Sequence, residues 1–321
     1  MDPVDGAFSP VEGLWFSDGT VVIRAENSIF RVYAALLAAR STVFQDMMGF
    51  PQPADVETLE GCPVVQLQDS AVDVTSFFKA IFDSSFFEPY PARTDLSIVV
   101  SVLRLSNKYD VDYLRRRALI HLSSSFPTVL SDYDNKWERM SMSDLFFERP
   151  GASVLAIQIA REVHALWILP SAFYFMAETD ESLIQSTLSI AAYKGHAACL
   201  SAHDQMLFMK SNLQLSRETH HLLRFLYSPD VIPGCTGGEV CRRARMHALA
   251  AIQEEAYEHN TDLDPMDVFD PNKLEACKIC CEFSTQANQE GRQSIWEKLP
   301  KMCGLPSWKE LEKMKEAALA G

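Results

Sequence analysis

Residues 17–44 read SDGTVVIRAENSIFRVYAALLAARSTVF, and this stretch decides the N-terminal fold. Two short β-branched runs separated by Glu26-Asn27 predict a hairpin. An alanine- and leucine-rich stretch then favours a helix, and Ser41 is placed to cap a second helix that carries Phe44. The order predicts strands that lead directly into a pair of helices.

The rest of the chain reads mainly as helix. A short third strand is predicted at residues 63–68. Apolar residues then recur at i, i+3, i+4 and i+7 in residues 74–81 and 96–103, the spacing of a helix that buries one face. Residues 154–227 are read as helical throughout, and the chain beyond residue 238 as helical in pieces. The prediction is an α+β N-terminal domain followed by a mainly α-helical C-terminal region.

Composition limits the classes of partner. The chain has 321 residues, 47% hydrophobic and 22% charged, which is an ordinary globular balance. Its net charge of −14 opposes binding to nucleic acid or to an acidic membrane face, because phosphate binding needs a basic surface. No apolar run reaches the roughly 18 residues of a membrane span, and the acidic start is unlike an export or mitochondrial signal. We expect an intracellular protein, in the cytoplasm, the nucleus or both, with no nucleic-acid or membrane partner.

The short motifs that mark common enzymes are missing from the sequence. It contains no Gly-x-Ser-x-Gly elbow, no Gly-x-x-x-x-Gly-Lys phosphate loop, no Gly-x-Gly-x-x-Gly and no His-Glu-x-x-His. Catalytic triads assemble from residues scattered along the sequence, so the lack of these motifs does not exclude catalysis. No pattern, however, gives a positive reason for it. We predict a protein that is not an enzyme, with no catalytic and no cofactor-binding residues.

The eight cysteines are unevenly placed. Cys235 and Cys241 flank a pair of glycines, and Cys277 and Cys280 form a Cys-x-x-Cys. Zinc takes four soft ligands in a tetrahedron, which two short chelating pairs can supply. Three interpretations stay open for these four residues: a structural zinc site, partly buried free thiols, and redox chemistry. Cys281 is a spare ligand, and the others are read as isolated buried thiols: Cys62, Cys199 and Cys303.

The region from Trp15 to about Phe126 resembles a BTB/POZ domain. The resemblance is carried by SDGTVVI at residues 17–23, FRVY and LLAARS around residues 30–41, and the helix DVTSFFKAIF at residues 73–82. LSNKYDV at residues 105–111 is similar to the A-x-K-Y helix junction of the family. Tyr33 stands where many members carry a histidine.

The whole chain resembles the large fungal (mushroom-type) group of BTB proteins, whose tails typically carry paired cysteines. The segments RQSIWEKLP at residues 292–300 and GLPSW at residues 304–308 carry this wider likeness. With the breaks in composition near residues 123–151 and 228–238, the predicted organisation has four parts. They are an N-terminal tail (1–13), a BTB/POZ domain (14–127), a helical region (128–228) and a cysteine-containing helical tail (229–321).

What a BTB domain implies is protein–protein interaction. Such domains pair with themselves, commonly as isologous homodimers, and some bind cullin scaffolds in ubiquitin ligases. The expected function is therefore self-association or an adaptor role, with further protein partners for the C-terminal half. The expected dimer interface is Leu14, Trp15 and Phe16, provided that these side chains are exposed, together with the first helix, Ala34 to Ala39.

Two alternatives are kept. The first is a substrate adaptor of a cullin-type ligase, against which one observation counts: residues 49–62 lack the hydrophobic-x-Glu signature that cullin-binding members tend to show. The second, weaker alternative is a transcriptional regulator. Its basic cluster, Arg242, Arg243 and Arg245, is short, and the net charge opposes DNA binding.

Overall fold

The structure is a computed structural model that describes residues 8–50, 57–135, 151–177, 191–259 and 263–320. It combines one five-stranded sheet and a small hairpin with many helices, which agrees with the predicted sheet-and-helix organisation. The helical pattern predicted at residues 183–191 lies outside the described residues except for Ala191.

The N-terminal sheet has the strand order β1-β3-β2-β5-β4 and is mixed. The central hairpin of β2 and β3 is antiparallel, β1 joins β3 and β5 joins β2 in parallel, and β4 pairs with β5 antiparallel. The strands are β1 (Ser9–Trp15), β2 (Val21–Ala25), β3 (Ser28–Val32), β4 (Thr58–Leu59) and β5 (Cys62–Leu67). β1 begins five residues before the predicted domain boundary because its backbone pairs with β3 from Ser9 onward.

Five helices follow the hairpin and cover one face of this sheet. Alternation along the strands sends Val21 and Ile23 into the main core and Val22 to the opposite face. The Ser41 hydroxyl accepts the backbone N–H of Phe44 at 3.0 Å, so the predicted cap is confirmed. The helices are α1 (Ala34–Arg40), α2 (Thr42–Gly49), α3 (Ala71–Phe82), α4 (Leu96–Lys108) and α5 (Asp112–Ser125).

The C-terminal half is mainly helical, with one correction. Where continuous helix was predicted, β6 (Ala191–Tyr193) and β7 (His196–Ala198) form an antiparallel hairpin. Lys194 and Gly195 both have positive φ, 45° and 90°, which is the backbone of a two-residue hairpin turn. The helices are α6 (Leu130–Asp134), α7 (Ala152–Glu162), α8 (Leu169–Ala177), α9 (Ala202–Leu222), α10 (Arg224–Tyr227), α11 (Glu239–His259), α12 (Lys278–Met302) and α13 (Trp308–Ala320).

One hydrophobic core runs through both halves. It begins at the sheet, passes through α3 to α5 and α7 to α9, and includes Trp296 of α12 and Leu311 of α13. The end of the predicted tail therefore packs against the rest of the chain. A separate small cluster joins α10, α11 and the start of α12 around Phe225 and Phe269. The cysteines lie beside that second cluster.

Candidate metal centre

The four predicted cysteines come from two loop-to-helix junctions. Cys235 lies in the loop before α11, and Cys241 in the first turn of that helix. Cys277 is the N-cap of α12, and Cys280 lies in its first turn. Both helices thus direct their N-terminal ends, the positive ends of their dipoles, toward one cluster.

The structure brings all four sulfurs together. Every Sγ lies within 4.8 Å of the other three, and the Sγ atoms of Cys277 and Cys235 are 3.9 Å apart. Four thiolates bound at about 2.3 Å around a tetrahedral ion would be about 3.8 Å from one another. Cys241 and Cys280 are buried, and Cys235 and Cys277 are half-buried. The donor set and its spacing therefore fit a tetrahedral metal such as zinc.

Backbone amides point at the sulfurs. Gly238 N–H donates to Cys235 Sγ at 3.3 Å, and Cys277 N–H donates to Cys241 Sγ at the same distance. Such N–H groups stabilise negative charge on sulfur, which is the state that a metal requires. The loop geometry prepares the site before a metal enters.

The pKa values of the four thiols move in two directions. N–H donation from Cys280 and Thr236 lowers the pKa of Cys277 to about 5, and the Cys280 side chain lowers that of Cys235. Burial raises the pKa of Cys280. For Cys241 the Cys277 N–H lowers the pKa, but burial and the neighbouring thiols outweigh it. The half-buried pair is thus the readily ionised pair.

Gly237 leaves room for one of the sulfurs. A Cβ built at this position would lie 2.3 Å from Cys241 Sγ, far inside van der Waals contact. Its backbone φ is not in the left-handed region, so the reason for glycine here is space alone. The Gly237-Gly238 pair noted in the sequence therefore belongs to the site.

The other cysteines stand apart from this cluster. Cys281 Sγ donates to the carbonyls of Leu274 and Ala276, both at 3.4 Å, so it is not the spare ligand. Cys62 and Cys303 are buried as predicted. Cys199 is exposed, which corrects the prediction of a buried thiol, because its side chain alternates outward on the strand-like segment after β7.

The three predicted dimer residues are buried to different extents. Leu14 is 1% exposed and belongs to the main core. Phe16 is half-buried against Tyr33 and Phe82, with ring centroids 5.1 Å and 5.6 Å away. Trp15 is half-buried on the other face of the sheet. The expectation is therefore corrected for Leu14, whose side chain has no surface to offer a partner.

The basic cluster of α11 is divided by the fold. Arg245 is buried and donates to the Phe225 carbonyl at 2.9 Å and to the Asp230 carbonyl at 3.3 Å. Arg242 pairs with Glu239 at 2.8 Å. Arg245 therefore holds the segment that leads to Cys235, and its burial removes it from any basic patch with Arg242 and Arg243.

A polar cluster that no sequence motif predicts joins the two halves of the chain. Arg104 of α4 bonds Asp73 of α3 at 3.0 Å and Glu162 of α7, and His196 of β7 lies 3.6 Å from Asp73. Ser101 Oγ is 3.3 Å from His196 Nε2 but is fully buried and bonds the Ser97 carbonyl. Ser101, His196 and Asp73 are all buried, so this contact lies in the interior between the two halves.

Comparisons with known proteins returned no match, whether against protein-family models, curated proteins or solved structures. In the described part of the chain, no helix combines the length and the apolar character that crossing a membrane requires.

Proposed function

We propose that this chain is a BTB/POZ-type protein-interaction protein that acts by self-association or as an adaptor, without catalysis. The observation that carries the proposal is the element order. A β2–β3 hairpin at the centre of a mixed sheet runs straight into the α1–α2 pair, and three helices follow β5. This is the arrangement that the resemblance implies for the family.

A sheet edge supports self-association. β1 is an end strand of the sheet, and among the described strands it pairs with β3 alone. Ser9, Pro10, Glu12 and Gly13 of this strand are exposed. An unpaired strand edge is a ready template for a second chain, and a two-fold dimer is the commonest assembly. The proposed interface is thus the backbone edge of β1, and the buried Leu14 side chain takes no part in it.

Solution mass tests this function. Light scattering coupled to size-exclusion chromatography of the full chain should give twice the 36.1 kDa monomer mass. Glu12→Lys reverses a charge on the proposed edge and should shift the protein toward monomer, whereas Glu316→Lys, the same reversal on α13, should not. A monomeric wild-type chain at micromolar concentration would contradict self-association.

The cullin-adaptor role is the alternative. Its test is a purified cullin N-terminal domain mixed with the full chain and followed by chromatography. A stable complex would favour the adaptor over the scaffold. The transcriptional alternative loses support because Arg245 is buried.

We also propose that Cys235, Cys241, Cys277 and Cys280 bind one structural zinc ion. Bound zinc would cross-link the start of α11 to the start of α12, and the four side chains supply all the ligands that a closed tetrahedral site needs. Metal analysis of protein purified without chelator should find one zinc per chain. Metal-free protein of unchanged stability would remove this proposal.

A further inference from the structure

α9 presents an outward face that differs from the rest of the chain. Its inner residues, among them Phe208 and Leu215, are buried in the main core. The opposite face is exposed and follows helical spacing. Its members are His203, Met206, Met209, Lys210, Leu213, Arg217, His220 and His221.

The charges on this face are all positive. Lys210 and Arg217 are exposed, and Arg224 continues the row at the start of α10. Both acids of α9 are engaged elsewhere: Asp204 pairs with Arg161 and Glu218 with Lys298, each at 2.8 Å. Within the described ranges neither Lys210 nor Arg217 forms an ion pair. A cationic face therefore stands on a chain whose net charge is −14.

Large apolar side chains lie between these charges. Met206, Met209 and Leu213 are 51%, 54% and 57% exposed and follow i, i+3, i+7 spacing. Methionine side chains are flexible and polarisable, which suits surfaces that close around a partner. Met206, Met209 and Leu213 thus form an exposed apolar stripe on one face of α9, with Lys210 and Arg217 beside it.

We infer that this face of α9 docks an acidic amphipathic helix of a partner protein. The inference deepens the proposed interaction function by stating the chemistry of a partner for the C-terminal half. The partner's apolar residues would cover Met206, Met209 and Leu213, and its carboxylates would meet Lys210 and Arg217. Burial of the stripe supplies affinity, and opposite charges fix the register.

The spacing of the cations restricts the partner further. Lys210 and Arg217 are seven residues apart on one helix, or about 10.5 Å along its axis. A partner helix that packs along α9 therefore needs acidic residues seven positions apart beside its apolar stripe. A phospholipid surface is a poorer match, because the chain's overall negative charge repels an anionic membrane.

The experiment is a selection of displayed random helical peptides on the full-length wild-type chain. The enriched peptides are then measured on the Lys210→Glu/Arg217→Glu variant, with no prior selection against that variant. The enriched peptides should be acidic and amphipathic, with carboxylates seven positions apart. Their Kd should rise about tenfold on Lys210→Glu/Arg217→Glu, as expected for two lost ion pairs at a partly desolvated surface, and also on Leu213→Gln.

A matched control separates local from overall charge. Lys309→Glu/Lys313→Glu reverses two exposed lysines on α13 and changes the net charge by the same amount, and it should leave Kd unchanged. Peptides without acidic pattern, or equal binding to the α9 variant, would overturn the inference. So would binding of the α9 face to phosphatidylserine vesicles alone, or a change in dimer mass in the α9 variant. Dimer mass and zinc content test the proposed function independently on the same proteins.

Discussion

Trp308 lies flat against Trp296, with ring centroids 5.9 Å apart and an interplanar angle of 13°. Its indole N–H donates to the Trp296 carbonyl at 2.8 Å, and the Trp296 N–H donates to the Thr128 carbonyl at 3.1 Å. This chain of contacts ties α13 to α12 and to the residues after α5.

Trp308→Ala should therefore loosen the last helix. We expect a loss of about 2 kcal/mol in the free energy of unfolding, since the ring is only half-buried. Trp308→Phe keeps a stacked ring and loses one hydrogen bond, which costs about 1 kcal/mol. Urea denaturation followed by circular dichroism measures both. Equal losses in the two variants would show that stacking contributes little.

The four clustered cysteines should behave as one unit. Changing any of Cys235, Cys241, Cys277 or Cys280 to Ser should abolish zinc binding and lower Tm by similar amounts, about 5 °C or more, because three ligands hold the metal far less tightly than four. A chelator should reproduce this effect in the wild type. Cys281→Ser, a neighbour whose sulfur points away, is the control and should keep its zinc. Unequal effects among the four would argue for separate thiols.

Gly237→Ala should disturb the same site by a steric clash. The added methyl group would meet Cys241 Sγ at 2.3 Å, so the loop or the sulfur must move. We expect zinc affinity to fall by about tenfold or more, measured by competition with a chromogenic chelator. Gly49→Ala, where no atom lies within 4 Å of the new carbon, should leave zinc affinity unchanged. Full affinity in the Gly237 variant would mean that the loop adapts freely.

Stability should fall as the pH is lowered through the window that begins at the usual histidine pKa of 6.5. Burial lowers the pKa of His196 below its usual 6.5, although the negative charge of Asp73 partly raises it again. Burial also lowers the pKa of His121. The unfolded state then binds more protons in this window, so acidification favours unfolding. His196→Gln should reduce the slope of stability against pH, and adding His121→Gln should reduce it again. A slope unchanged in the double variant would assign the effect to other groups.

Local patterns predicted much of the fold. The β2–β3 hairpin, the Ser41 cap and the helical stripes depend on neighbouring residues, and the structure places them as expected. At the start of α13, Ser307 N–H donates to the Glu310 carboxylate at 3.0 Å, which is one of the two bonds of a capping box. The cysteine cluster was predictable because its chelating pairs are each local.

Other features depend on contacts between distant residues. Lys194 and Gly195 are a weak turn signal within an apolar stretch, so the sequence pattern did not predict the β6–β7 hairpin. Leu14 was placed at an interface because a terminal apolar run does not reveal that its own core will cover it. The Asp73–Arg104 pair joins separate helices, and no sequence spacing records such a contact.

The packing of α13 has a consequence for synthesis on the ribosome. Leu311 is fully buried in the core that begins at the sheet, and Thr128, just after α5, bonds Glu312. The surface beside α5 therefore stays uncovered until α13, which follows every other described element, has left the exit tunnel. During that interval the nascent chain exposes apolar surface that the finished protein hides, and it is then most open to chaperones and to aggregation.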